Sequence, residues 1–264
     1  ISTRDWSSDV CSSDLLFKGK SAVITGASRG VGRATALRLA EAGANVLVNF
    51  LQNEKDATST VEECLKFGVQ AVSCRADASN PADTKRLASV ARETFGGIEL
   101  MVLNAGIWKG APIAEMSESL WDEVLDVNLK SMWAMTNSFV PLMRESERAS
   151  IVMVSSTAGQ RGEANYSNYA ASKGGQISFT KALSTELAPK IRVNCVAPGW
   201  IDTAMVRPVF EDKEYLEKVL STIPLHRMAS TDDVALAICF LLSDWSRHIT
   251  GEVLNINGGS VLPG

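Results

Sequence analysis

The chain has 264 residues, 45% hydrophobic and 21% charged, with a formal net charge of −4. That length suits one α/β domain with a sizeable buried core, and the mild acidity argues against a general nucleic-acid binder, which carries a basic excess. No run of 18 apolar residues occurs, so no transmembrane helix is predicted.

Residues 1–15, ISTRDWSSDVCSSDL, stand apart from the rest: Ser-Ser-Asp repeats, and neither helical nor strand period is present. They lack the basic and apolar regions of a signal peptide, and DVCSSDL resembles a translated sequencing-adapter oligonucleotide. Residues 1–15 are therefore expected to be a non-native or disordered prefix, and 16–264 a single domain.

From residue 18 onward strand and helix patterns alternate. Residues 21–25 read as a short apolar strand, followed by a glycine-rich turn and a helix stopped by Gly43. Residues 44–50 form the next strand, and the helix after it stops at Gly68. Residues 69–77 repeat the unit, with Pro81 opening the following helix. Further strands are read at 98–106, 150–156, 191–199 and 251–259, with a long helical stretch at 120–144. The span 200–230 reads as irregular and is a candidate lid or substrate loop. Near-continuous Val, Ile and Leu runs belong to strands covered on both faces. The fold class is thus α/β, one doubly wound parallel sheet with helices on both faces and its ligands at the carboxyl ends of the strands.

Five cysteines, Cys11, Cys64, Cys74, Cys195 and Cys239, show no CxxC spacing. They read as buried thiols of a cytoplasmic, reduced protein. His226 and His248 lack metal-ligand spacing, and no metal is expected.

TGASRGVG, residues 25–32, joins the first strand to a helix. Gly26 permits the tight turn, and Gly30 and Gly32 let a pyrophosphate approach the helix N-terminus. The spacing Gly-xxx-Gly-x-Gly resembles the TGxxxGxG fingerprint of the short-chain dehydrogenase/reductase family. LNAG at 103–106 resembles that family's NNAG, departing at Leu103, and VAPGWIDT at 196–203 resembles its PG motif. The resemblance spans about 18–260, and implies a Rossmann-type, NAD(P)-binding oxidoreductase.

It also implies the cofactor contacts. Ser28, Arg29 and Val31 join the three glycines of the turn. Asn49 and Leu51 would meet the adenosine ribose, Asp77 and Ala78 the adenine. Asn104, Ala105 and Gly106 would line the crevice, and Pro198, Gly199, Ile201 and Thr203 would flank the nicotinamide. The second strand ends VLVNFLQN with no acid to repel a 2′-phosphate, and Arg29 is placed to pair with one, so NADP(H) is favoured over NAD(H). The second basic residue often found after that strand is missing.

Tyr166 and Tyr169 both precede Lys173. Only Tyr169 is one helical turn away, about 6 Å along the axis against about 10 Å for Tyr166. Tyr169 is the candidate acid, and Tyr166 reads as a wall of the cleft or as packing. A phenol of pKa about 10 needs a nearby cation to work near neutrality, and Lys173 is expected to supply it. Ser156 precedes Tyr169 by thirteen residues, the family spacing, and strand alternation turns Ser155 away. The resemblance makes Ser156 the partner of the substrate oxygen and Asn128 the holder of a water linking Lys173 to solvent.

The wording NYAASKGG, VNCVAPG and ITGEVLNINGG looks most like the family's bacterial 3-oxoacyl-[acyl-carrier-protein] reductase group. That resemblance implies reduction of a carrier-bound or small-molecule ketone by a homotetramer, with no nucleic acid, membrane or metal involved. Arg144 and Arg148 at the end of the long helix and Lys190 at the end of the catalytic helix are candidates to dock an acidic carrier. Helix C-termini also favour basic residues through the dipole alone.

Overall fold

The computed structural model describes residues 16–262; the prefix 1–15 lies outside them. Seven strands, β1 (Ser21–Ile24), β2 (Asn45–Phe50), β3 (Ala71–Arg75), β4 (Leu100–Leu103), β5 (Ala149–Val154), β6 (Ile191–Pro198) and β7 (Val253–Ile256), make one sheet. Their order is β3-β2-β1-β4-β5-β6-β7, and every pairing is parallel. The order reverses between β1 and β4, which opens a crevice at their carboxyl ends. There the glycine turn leaves β1.

Alternation along each strand feeds two cores. On one face Ala22, Ile24, Val46 and Val48 pack with Leu39 of α1 (Gly30–Glu41), with Ala57 and Cys64 of α2 (Glu54–Leu65), and with Val234 and Ile238 of α9 (Thr231–Leu242). On the other, Val23, Leu47 and Met101 pack with Leu87 of α3 (Pro81–Phe95) and with Met132, Met135 and Phe139 of α5 (Ser131–Met143). Leu39, Leu87 and Phe139 are fully buried, each contributing about 1.5–3 kcal/mol.

The caps follow from sequence. Asn80 accepts from the amides of Ala82 and Asp83 ahead of Pro81, and Gly96 closes α3 at φ 81°. Ser230 and Asp233 form a capping box on α9.

Two elements differ from the sequence reading. The helical stretch at 120–144 is α4 (Glu118–Leu125) and α5 joined through a π-helical turn, Asp126–Lys130, that carries Asn128. Such a turn inserts one residue into the ladder without changing the apolar pattern, so periodicity does not show it. The span 200–230 is largely ordered: it contains a 3-10 turn (Arg207–Glu211) and α8 (Lys213–Ser221). Its base is tied down where Ile201 bridges Ala229 and the Asp202 amide donates to the Ala229 carbonyl.

Candidate active site

The dinucleotide side is held together by backbone and short polar side chains. The Thr25 hydroxyl accepts from the amides of Asn104 (2.9 Å) and Ala105 (3.0 Å), and Asn104 Nδ2 donates to the Thr25 carbonyl at 3.0 Å. This stitches the end of β4 onto the glycine turn. A Cβ on Gly26 would stand 3.2 Å from Ala105 Cα, and one on Gly32 only 2.4 Å from the Gly26 carbonyl oxygen. The first helical turn of α1 has no side-chain cap. Its amides therefore remain available to an anion. A methyl group at Gly30 would meet Thr203 at 3.9 Å, so the two predicted cofactor segments face each other. The cradle fits a dinucleotide phosphate.

The predicted adenosine side needs correction. Asn49 is buried, and its Nδ2 donates to the carbonyls of Cys74 (3.4 Å) and Ala76 (3.0 Å). That side chain is spent on joining β2 to β3. Leu51 is exposed, and its carbonyl accepts from Arg75 Nε at 3.0 Å. A second basic residue is thus present beside the end of β2; it comes from the neighbouring strand, where Arg75 is in register with Phe50. Asp77 Oδ1 accepts from the amide and the hydroxyl of Ser79, both at 2.8 Å, and Ala78 is buried next to it. Pro198 ends β6 and Gly199 follows it, where an added Cβ would lie 3.1 Å from Asn257 Cβ.

Ser156 follows β5, and Tyr169 and Lys173 lie on α7 (Ser167–Glu186). Ser155 does turn away from the cleft, donating to the Lys173 carbonyl at 2.8 Å. The Lys173 side chain is buried: Nζ donates to the Val154 carbonyl at 2.8 Å and reaches Gln176 Oε1 at 3.5 Å. It lies 5.7 Å from the Tyr169 ring centroid, over the ring face. Asn128 is fully buried; Oδ1 accepts from the Ile107 amide at 2.8 Å and Nδ2 donates to the Ile107 carbonyl at 3.0 Å. Gly106 is where Lys173 and Asn128 converge, since a Cβ there would meet Asn128 Oδ1 at 3.2 Å and Lys173 Nζ at 3.5 Å.

The electrostatics differ from the expectation. Burial pushes the Tyr169 phenol up to about 12, with the Ser156 hydroxyl opposing and the Glu163 charge reinforcing the rise. Burial brings Lys173 down to about 8. In the protein alone the ammonium does not lower the phenol. It faces the ring and the Val154 carbonyl rather than the hydroxyl.

A cavity of about 110 Å³ opens above Tyr169 and Ser156. Its walls include residues not assigned from sequence: Trp108, Trp200, Glu163 and Arg161. Trp108 stacks on Tyr166, with ring centroids 4.7 Å apart, and meets Trp200 edge-on at 5.8 Å. Phe210 continues the row at 5.1 Å from Trp200. Tyr166 stands just before α7 without a side-chain capping bond and packs behind Trp108, outside the cavity lining. Gln176 was also missed: its Nε2 donates to the Asn128 carbonyl at 2.6 Å while Oε1 faces Lys173. Its place one turn beyond Lys173 on the helix face of Tyr169 was the available signal. Nothing local joins Trp108 to Trp200.

The candidate docking residues are placed less favourably. Helix α5 ends at Met143 and α7 at Glu186, so Arg148 and Lys190 lie in the turns beyond them. Lys190 Nζ donates to the Arg144 carbonyl at 3.2 Å, capping α5.

A model described as enoyl-(acyl carrier protein) reductase matches residues 26–260. A Thermotoga maritima relative named 3-oxoacyl-[acyl-carrier-protein] reductase FabG is 39% identical, covering 94% of this chain and 100% of its own. Among solved structures, a short-chain dehydrogenase/reductase (glucose/ribitol dehydrogenase) from Brucella melitensis superposes with a TM-score of 0.87 at 34% identity, over 94% of this chain and 98% of that one. Carveol dehydrogenase from Mycobacterium avium, solved with NAD, gives a TM-score of 0.87 at 29% identity, over 93% and 98%. With the glycine turn, the parallel sheet and this likeness along nearly the whole chain, the protein belongs to the short-chain dehydrogenase/reductase family of oxidoreductases.

Proposed function

We propose that the protein is an NADPH-dependent reductase that converts a 3-oxoacyl group on an acyl carrier protein to the 3-hydroxyacyl group. The observation that carries the reaction is the convergence of Ser156, Tyr169 and Lys173 beneath one cavity at the carboxyl ends of β5 and β6. The substrate follows from the FabG relative, aligned over nearly its full length.

The glycine turn, with Asn104 and Thr203 facing it, would hold a nicotinamide dinucleotide, which would supply the hydride. Tyr169 gives its proton to the carbonyl oxygen, and Ser156 donates a hydrogen bond to that oxygen as charge develops on it. Lys173, held by the Val154 carbonyl, places its ammonium over the Tyr169 ring face, 5.7 Å from the centroid. Gln176 and Asn128 fix Lys173 in that position.

Preference for NADPH is supported by Arg29, exposed in the glycine turn, and by Arg75 at the Leu51 carbonyl, with no acid at the end of β2. A homotetramer fits the exposed apolar side chains of Trp121 and Trp133 on one side and Leu236, Phe240 and Trp245 on another. Cytoplasmic residence fits the four cysteines among the described residues, all buried and free. No helix among the described residues is long and apolar enough to cross a membrane.

A second reading, reduction of a free small ketone, is favoured by Lys190, whose ammonium caps α5 rather than standing free for a carrier. Initial rates with 3-oxobutanoyl carrier protein and with ethyl 3-oxobutanoate, each with NADPH and NADH, test both. A kcat/KM at least tenfold higher for the carrier substrate with NADPH is expected. Equal values reject the carrier reading, and no turnover of either rejects the reductase.

A further inference from the structure

The residues around the cavity that the hydride transfer does not use include one acid. Among the described residues Glu163 is the only carboxylate lining the space above Tyr169, and it is half-buried. Around it stand the apolar side chains of Trp108, Trp200, Ile201, Met205 and Val206, with Arg161, Thr157 and Thr203 the polar members beside the reacting Ser156 and Tyr169. Glu163 has little to satisfy it. The Arg161 guanidinium, itself exposed, and the Trp108 indole are the neighbours that favour its charge, and burial outweighs both, holding the carboxyl above its usual range. A carboxylate drawn partly out of water gains from each further donor that meets it. It is also well placed to accept from a ligand.

The cavity restricts what that ligand can be. At about 110 Å³ it is well below the roughly 300–1,000 Å³ of a drug-sized ligand site. Trp108, packed between the stacked Tyr166 and the edge-on Trp200, narrows it from one side. A long alkyl chain is not enclosed by a space of this size, and an alkyl group laid against Glu163 would desolvate the carboxylate further. Arg161 in the same lining leaves no net negative charge to select a cation.

We propose that Glu163 is a specificity residue that accepts a hydrogen bond from a neutral donor on the substrate, while Trp108 and Trp200 confine the carbon frame to a compact ketone. This deepens the proposed function and rests on it. A 3-oxoacyl thioester carries such a donor in the amide N–H of its pantetheine arm; a free hydroxyketone carries it as a hydroxyl. Sites built around a polar partner discriminate strongly against analogues lacking it. A charge-assisted hydrogen bond corresponds to a preference of about 10- to 100-fold in kcat/KM.

Three probes that differ in their donor separate the possibilities, each compared between wild type and variant so that size cancels: the N-acetylcysteamine thioester of 3-oxobutanoate (amide donor), 4-hydroxy-2-butanone (hydroxyl donor) and ethyl 3-oxobutanoate (no donor). The full chain with NADPH is expected to prefer one or both donor-bearing probes over the ester. A Glu163-dependent preference for the thioester alone identifies the pantetheine arm, and one for the hydroxyketone alone a free substrate. Glu163→Leu should bring the ratio of donor-bearing to donor-free kcat/KM close to one, acting through KM. Glu163→Gln, which keeps an acceptor oxygen, should restore most of the ratio. Turnover of all three probes without preference, or a ratio that survives Glu163→Leu, overturns the inference while leaving the reductase reading intact. Absence of turnover with every probe overturns both.

Discussion

The two halves of the cleft are built by different means. On the β1–β4 side the parts meet through main-chain amides, the Thr25 hydroxyl and glycines with no room for a methyl group. On the substrate side they meet through the rings of Trp108, Tyr166, Trp200 and Phe210, contributed by four separate segments. The first arrangement tolerates almost no change, because backbone cannot move aside. Aromatic contacts of the second kind adapt by repacking. A cradle fixed by backbone beside a wall made of side chains is an arrangement in which a fold can keep one reaction while its substrates vary between proteins.

The sharpest way to break this contrast lies at the boundary between the halves. Tyr169→Phe should lower kcat about 10²- to 10⁴-fold, the usual contribution of a general acid, while NADPH affinity measured by fluorescence stays nearly unchanged. Tyr166→Phe keeps the ring that stacks on Trp108 and should retain most activity. Equal losses in the two variants would undo the assignment.

Next in size is the buried lysine. Folding brings Lys173 from its ordinary 10.5 to about 8. The unfolded chain therefore binds more protons between those values, and stability rises with pH across that window. Below pH 8 the native protein carries the whole penalty, on the order of 3 kcal/mol. The Tyr169 phenol, raised to about 12, acts in the opposite sense above pH 10. Lys173→Met should remove the rise in melting temperature between pH 8 and 10, although the Val154 carbonyl loses its donor. A variant that keeps the native slope would place the titration elsewhere.

On the cradle side Gly32→Ala pushes a methyl group to within 2.4 Å of a carbonyl oxygen. It should cost about 1–3 kcal/mol of stability and abolish NADPH binding, whereas Met205→Ala on the exposed substrate wall should shift the midpoint of denaturation little. A harmless Gly32→Ala would remove the contrast in rigidity.

The smallest effect concerns the 2′-phosphate. Arg29→Ala and Arg75→Ala should each weaken NADPH about tenfold, the order of one charge-assisted contact, and NADH much less. Calorimetric titration with both dinucleotides separates the outcomes. Matching losses for NADPH and NADH would exclude either arginine from phosphate recognition.

Much of this protein was legible along the chain. Parallel strands covered on both faces are continuous apolar runs, so β1, β2, β5 and β6 stand out wherever Val, Ile and Leu cluster. The glycine turn and the Tyr169–Lys173 pair were readable because their geometry depends on residues within one turn of each other. Tertiary structure decided whatever depended on partners far apart in sequence. Asn49 was drawn away from the cofactor by the carbonyls of Cys74 and Ala76. Arg75 was brought to Leu51 by the register of β3 on β2. Lys173 was turned toward the Val154 carbonyl, and burial then moved both titrating groups away from the values their local sequence implies. Trp108, Glu163 and Trp200 carry no shared spacing; they line one cavity because they follow β4, β5 and β6, neighbouring parallel strands that end at the same edge of the sheet. Local chemistry is written in neighbouring residues, whereas solvation and long-range contact exist only once the chain has folded.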